Sequence, residues 1–167
     1  ACLWHDPLSP FHRGARRPGW LLLMMVVAGA GLLIRMAVSA EHANAVSMKR
    51  SFYGSIIVRK VPALFRPSED LRLFHGRICH GAQSLNPAER YLPMMYYAPS
   101  SGIGMVMKNH PRGEGGGRRI GVVGLGAGAL AAWGESGDVM RFYEINPQIE
   151  DLSRTLFTYL QDSRAKT

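Results

Sequence analysis

Cysteine is almost missing from this chain. Two are present among 167 residues, Cys2 and Cys79, and they stand far apart. That spacing offers neither a disulfide framework nor a thiolate pair for a metal. Cys79 reads as a small buried apolar residue. Acid is also scarce: 12 Asp and Glu face 20 Lys and Arg, for a formal charge of +8. The excess is not spread as a nucleic-acid face would need. It lies beside an apolar run, at Arg13, Arg16, Arg17, Arg35, Lys49 and Arg50, and again at Arg112, Arg118 and Arg119. Clusters of that kind fit membrane flanks and a loop, and no RNA- or DNA-binding motif accompanies them, so no nucleic-acid partner is expected. No internal repeat is evident. No Gly-Lys-Ser/Thr follows the glycine-rich segment, which excludes a phosphate-gripping P-loop.

What the chain does have is one long apolar run. Trp20 to Ile34 carries no charge, Arg35 interrupts, and Met36 to Ala40 continues. About 20 apolar residues span a bilayer, and an Arg near the end can snorkel to the interface. Trp20 suits the other interface. The reading adopted is a transmembrane helix over 20–40 behind a polar segment, 1–19. Two others remain open. Ala37-Val-Ser-Ala40 after an Arg-rich start and an apolar core has the form of a signal-peptide cleavage site, and a buried helix has the same composition. Arginines on both sides leave the orientation open.

The second feature is Arg119-Ile-Gly-Val-Val-Gly-Leu-Gly-Ala-Gly-Ala-Leu-Ala-Ala-Trp133, followed by Arg141-Phe-Tyr-Glu-Ile-Asn-Pro147. It predicts a strand, a glycine turn, the start of a helix, and a second strand ending in an acid. Glu144 lies 20 residues beyond Gly124. That is the sequence form of a nucleotide-binding βαβ unit. Gly124, Gly126 and Gly128 can take positive φ at little cost and let the backbone approach a ligand. The N–H groups at the start of the helix would point at the ligand. Glu144 can accept two hydrogen bonds from the ribose hydroxyls of an adenosine. The spacing suits dinucleotide and S-adenosylmethionine sites equally. Trp133 and Phe142 read as core.

The rest of the chain is read more coarsely. Ser51–Lys60 predicts a strand, Pro67–Asp70 a turn, and Leu71–His80 a bent strand or hairpin around Gly76. Gly81–Pro93 predicts a loop, Ile103–Lys108 a helix, and Pro111–Gly117 a linker. Gln148–Leu160 predicts an amphipathic helix. His75 and His80, five apart on a strand, are expected on opposite faces, poorly placed for a shared metal ion. No metal is expected.

The order of Phe52-Tyr-Gly54, Arg72-Leu-Phe-His-Gly-Arg-Ile-Cys-His-Gly-Ala-Gln83, Tyr91-Leu-Pro-Met-Met-Tyr-Tyr97 and Ser101-Gly-Ile-Gly104 ahead of the glycine segment is informative. With Val-Val-Gly-Leu-Gly-Ala-Gly-Ala and Tyr-Glu-Ile-Asn-Pro behind, the chain resembles the spermidine synthase-like (polyamine aminopropyltransferase) proteins. It looks closest to the bacterial branch with a membrane segment fused ahead of the synthase domain. The resemblance covers Ser51 to the end. It implies an α/β fold: a small N-terminal β-domain, 51–110, then a Rossmann-like transferase domain, 118–167, behind the transmembrane helix. It implies aminopropyl transfer from decarboxylated S-adenosylmethionine to an amine such as putrescine, with no metal. By position it implies that Gln83 lies on the cofactor side and that Tyr96 and Tyr97 line the amine channel. Gly124, Gly126 and Gly128 would form the adenosine loop, and Glu144 the ribose acid. A homodimer and a bacterial inner membrane, with the catalytic domain in the cytoplasm, are implied as well; export is the alternative.

Two departures follow from the same likeness. Asn86-Pro87 stands where the family carries an Asp-Glu pair. The family's catalytic aspartate and its adenine-contacting acid lie on later strands. The chain starts on Ala, and the stretch after the glycine motif has room for two strands and two helices, whereas a doubly wound sheet needs about five strands. The expectation is an incomplete, inactive fragment. A methyltransferase using S-adenosylmethionine, a non-catalytic nucleoside- or polyamine-binding module, and more distantly a dehydrogenase are the other readings.

Overall fold

A computed structural model describes residues 8, 19–64, 66–113 and 115–167. The polar segment over 1–19 lies, apart from Leu8 and Gly19, outside the described residues. The chain divides into two compact units, Ala1–Ala43 and Asn44–Thr167.

In the first unit, helix α1 runs over Gly19–His42. Leu, Met, Val and Ala fill it, and a β-carbon at Gly29 or Gly31 would meet nothing nearby. Gly19–Ala40 has a mean hydropathy of 2.3, and its apolar side chains are exposed. At roughly 1.5 Å per residue the helix exceeds the ~30 Å hydrocarbon core of a bilayer. It is long and apolar enough to cross a membrane, and a signal sequence has the same properties.

The second unit is mixed α/β. Four antiparallel strands come first: β1 (Ala45–Ser51), β2 (Gly54–Pro62), β3 (Glu69–His75) and β4 (Ile78–Ser84), paired in chain order. The strand expected over Ser51–Lys60 is therefore two strands and a tight turn. Phe52 and Tyr53 make the turn, the Ser51 hydroxyl accepts the Tyr53 N–H, and Gly54 at φ 118° completes the reversal. The hairpin around Gly76 forms as expected, with that glycine at φ 59°. Glu69 and Asp70 belong to β3, and Gly81 to Ser84 to β4, so the expected turn and loop there are shorter. Asp70 is buried and ion-paired to Arg66 and Arg72, which lets an acid sit within the sheet.

A 3₁₀ turn (Met95–Tyr97) leads to α2 (Gly102–Asn109), whose start is capped by the Ser101 hydroxyl on Gly104 N–H. Then β5 (Arg119–Val123) and β6 (Val139–Tyr143) pair in parallel. Between them Ala129–Trp133 forms a five-residue 3₁₀ turn, not the α-helix expected. Gly134 stops it, and the turn through Gly137, at φ 88°, sends the chain into β6. Beyond β6, α3 (Pro147–Thr155) starts on an Asn146 cap, and α4 (Tyr159–Asp162) is separate. The single helix expected over Gln148–Leu160 breaks at Leu156–Thr158, where the Gln83 side chain takes the Thr158 backbone N–H. After α4 the chain returns alongside β6. Met140 N–H donates to Lys166 O at 2.8 Å and Lys166 N–H to Asp138 O at 3.0 Å, a parallel bridge on the edge of β6 away from β5.

One apolar core joins both sheets. Ile56, Val58, Leu71 and Leu73 of the antiparallel sheet meet Leu125, Ala127, Ile149, Leu152 and Phe157. Trp133 and Phe142 pack against the core clusters, as expected of them. At the start of β5, Arg118 and Asp138 form a buried ion pair with a shortest contact of 2.6 Å. The Asp138 carboxylate also accepts from Arg112 and from the backbone N–H groups of Arg118 and Glu135. Burial works against its ionisation, but these donors win and hold it far below the usual carboxylate range.

Candidate functional site

The turn after β5 is built by its glycines. Gly124, Gly126 and Gly128 have φ of 88°, 56° and 80°. Residues with a β-carbon pay steric strain there, so the alternating glycines are what allow the loop. It is pinned at several points. Gly124 N–H donates to Tyr143 O at 2.8 Å. The buried Ser153 hydroxyl donates to Gly126 O. From below, β4 closes on the loop: Gly81 leaves room for Ala127, and a β-carbon at Gly126 would lie 3.2 Å from His80 O.

Glu144 follows directly on β6 and completes the turn. One carboxylate oxygen accepts Leu125 N–H at 2.9 Å, and the other accepts Asn146 N–H at 2.9 Å. The acid thus fastens the glycine loop to the end of β6. Each oxygen still has a second lone pair, so the carboxylate can also accept from a ligand hydroxyl.

Gly124, Gly126 and Glu144 line one cavity of about 320 Å³, together with Tyr53, His75 and His80. The size lies at the lower end for small-molecule sites. A β-carbon at Gly124 would meet nothing within 4 Å, so the loop backbone is open to what enters. A larger cavity of about 470 Å³ also contains Glu144 but none of the three glycines.

The other expected site residues lie elsewhere. Gln83 is 3% exposed and its amide is fully engaged. Its Nε2 donates to Arg90 O and Thr158 Oγ1, both at 2.8 Å, and its Oε1 accepts Thr158 N–H. It ties β4 to the break before α4. Gly128 turns toward Leu160 and Tyr159 and does not line the cavity. Tyr96 is exposed and donates its hydroxyl to Cys79 O at 2.7 Å. Tyr97 lines a separate cavity of about 490 Å³ between α2 and β5. Burial, then the neighbouring Tyr96, pushes its phenol up. The 3₁₀ turn at Ala129 is too short to present the helix N-terminus expected there.

The two histidines depart from expectation. They do not face opposite ways: their ring centres are 5.9 Å apart. The cause is the hairpin: the two lie on different strands, His75 pairs with Ile78 across the turn, and His80 stands two positions beyond Ile78. Leu73 pairs with Gly81 and Phe74 with Cys79, so His80 is also the extra residue of a β-bulge in β4. His75 Nε2 donates to Tyr53 O at 2.5 Å, which leaves Nδ1 as its free ring nitrogen. Among the described residues there is no group of three or more His, Cys, Asp or Glu side chains arranged to hold a metal.

No family model, no curated protein and no solved structure matches this chain.

Proposed function

We propose that Asn44–Thr167 binds an S-adenosyl-type sulfonium nucleoside at the Gly124–Gly126 turn, as the donor-binding part of a spermidine synthase-like aminopropyltransferase. In this reading α1 tethers it to a bacterial inner membrane with the unit in the cytoplasm. The carrying observation is the meeting of Gly124, Gly126 and Glu144 around one cavity. The loop backbone accommodates the flat nucleoside, and the free lone pairs of Glu144 accept the ribose hydroxyls. The Rossmann-like assignment rests on the parallel β5–β6 pair and on the parallel bridge at Lys166, which together begin a doubly wound order.

The transfer itself asks little covalent chemistry of the protein. A neutral amine attacks the methylene beside the sulfonium, the C–S bond breaks, and its electron pair stays on sulfur. The ammonium product then gives up a proton to a base, and no residue of this chain is assigned to that step. Positioning the donor is therefore the role assigned here.

Calorimetric titration of the full chain in detergent, with methylthioadenosine and with decarboxylated S-adenosylmethionine, tests the reading. Both are expected to bind. Glu144→Ala is expected to weaken both by at least about tenfold, as loss of a charged hydrogen-bond partner does. No binding, or equal binding by the variant, overturns it. Spermidine formation from putrescine then separates transfer from binding alone.

A further inference from the structure

The structure assigns a second site at the mouth of the same cavity: His75 and His80 form a two-imidazole site for a borderline divalent transition metal ion such as Zn²⁺. Three observations carry it. The hairpin pairs His75 with Ile78 and sets His80 two positions further along β4, which brings the two imidazoles to one side of the sheet. Two imidazoles bonded to one ion at ~2.0–2.1 Å place their ring centres roughly 5–6 Å apart, and these stand at 5.9 Å. His75 also has the outer partner that metal-bound imidazoles usually have. Its Nε2–H is bonded to a backbone carbonyl, Tyr53 O, which fixes the tautomer and leaves Nδ1 with its lone pair.

The local sequence supports that orientation. A β-carbon at Gly54 would lie 2.7 Å from His75 Nε2, so the glycine is what lets the ring reach the turn. Imidazole is a borderline ligand that suits zinc, copper and nickel rather than calcium or magnesium. Cys79, which directly precedes His80, is occupied otherwise: its Sγ contacts Gly81 O and Met95 Sδ. Glu144 lines the same cavity, each of its oxygens accepting one backbone N–H, and is not assigned as a ligand of the ion. Water fills the remaining coordination positions, so the site holds an exchangeable ion rather than a permanent one. The inference stands independently of the nucleoside reading.

The test is calorimetric titration of the full chain in detergent with Zn²⁺ alone. One saturable site is expected in the wild type. His75→Ala and His80→Ala should each weaken it at least about tenfold, no less than removal of an outer partner costs. The double variant should lose it. His110→Ala, remote from the cavity, should leave it unchanged, and near-ultraviolet circular dichroism checks that each variant is folded. Gly54→Ala keeps both imidazoles and displaces the His75 ring, so it should weaken binding without abolishing it. Absence of a saturable site in the wild type, or its survival in the folded double variant, overturns the assignment.

Discussion

Gly81 stands against Ala127 so closely that a β-carbon at position 81 would lie 2.5 Å from the alanine's methyl carbon and 3.2 Å from its backbone nitrogen. The glycine loop is thus seated directly on β4. Neither side can move away cheaply, because the contact involves backbone and lies beside the shared core. Gly81→Ala is expected to destabilise the unit by about 1–3 kcal/mol, as overpacking of a tight interior contact does. Urea unfolding of both proteins measures it. An unchanged midpoint would mean that the loop does not rest on β4 as described.

Glu144 has a structural part as well as a binding one. Glu144→Ala leaves Leu125 N–H and Asn146 N–H without their side-chain acceptor. A loss of about 1–3 kcal/mol is expected, the cost of stranding donors on buried residues. Amide hydrogen exchange should show Leu125 and Asn146 accelerated, with the β2–β3 ladder unaffected. Equal exchange at all of these sites would contradict the clamp.

Asp138 sets an acid limit to stability. Its folded-state ionisation lies below its ordinary value near 3.8, so its contribution is fully present above about pH 4. That contribution is lost as pH falls toward the lower folded-state value. Asp138→Asn strands the buried Arg118 and should cost about 3–5 kcal/mol at neutral pH, as breaking a buried pair does. The gap between wild type and variant should narrow below pH 4. Thermal unfolding across pH 2–7 reads both effects, and a gap constant with pH would exclude Asp138 as the source.

The helix α1 carries its own test. Lysine at Val27, near the centre of Gly19–Ala40, should disfavour bilayer insertion by about 2.5–3.5 kcal/mol. Fractionation of expressing cells should move Val27→Lys out of the membrane pellet relative to the wild type. Wild-type protein that stays fully soluble without detergent would end the spanning reading.

Much of this architecture is visible before any coordinates. The β5–turn–β6 unit, the positive φ of the three glycines, α1, α2 and the Gly76 hairpin all follow from local pattern. What escapes depends on tertiary partners. The Phe52–Tyr53 turn hides inside a strand-like run because Gly54 acts only once β3 supplies His75. The Ala129 segment has helix-forming residues, yet Gly134 and the turn to Gly137 truncate it. Gln83 looks like a ligand contact until Thr158, 75 positions on, is seen to occupy its amide. His80 is the sharpest case. Strict alternation over five positions of one strand sends its side chain away from His75, whereas the turn at Gly76 pairs His75 with Ile78 and returns His80 to the same side.

His80 occupies a rung that the hairpin could do without. Deleting it would let β3 and β4 pair evenly along their length, a gain in ladder regularity, and would remove one imidazole from the cavity. At this position stability and site composition pull in opposite directions. A selection for thermal tolerance alone would be expected to erase the bulge, whereas selection that also demanded ligand binding would keep it. The extra residue thus marks where the fold has yielded regularity to geometry.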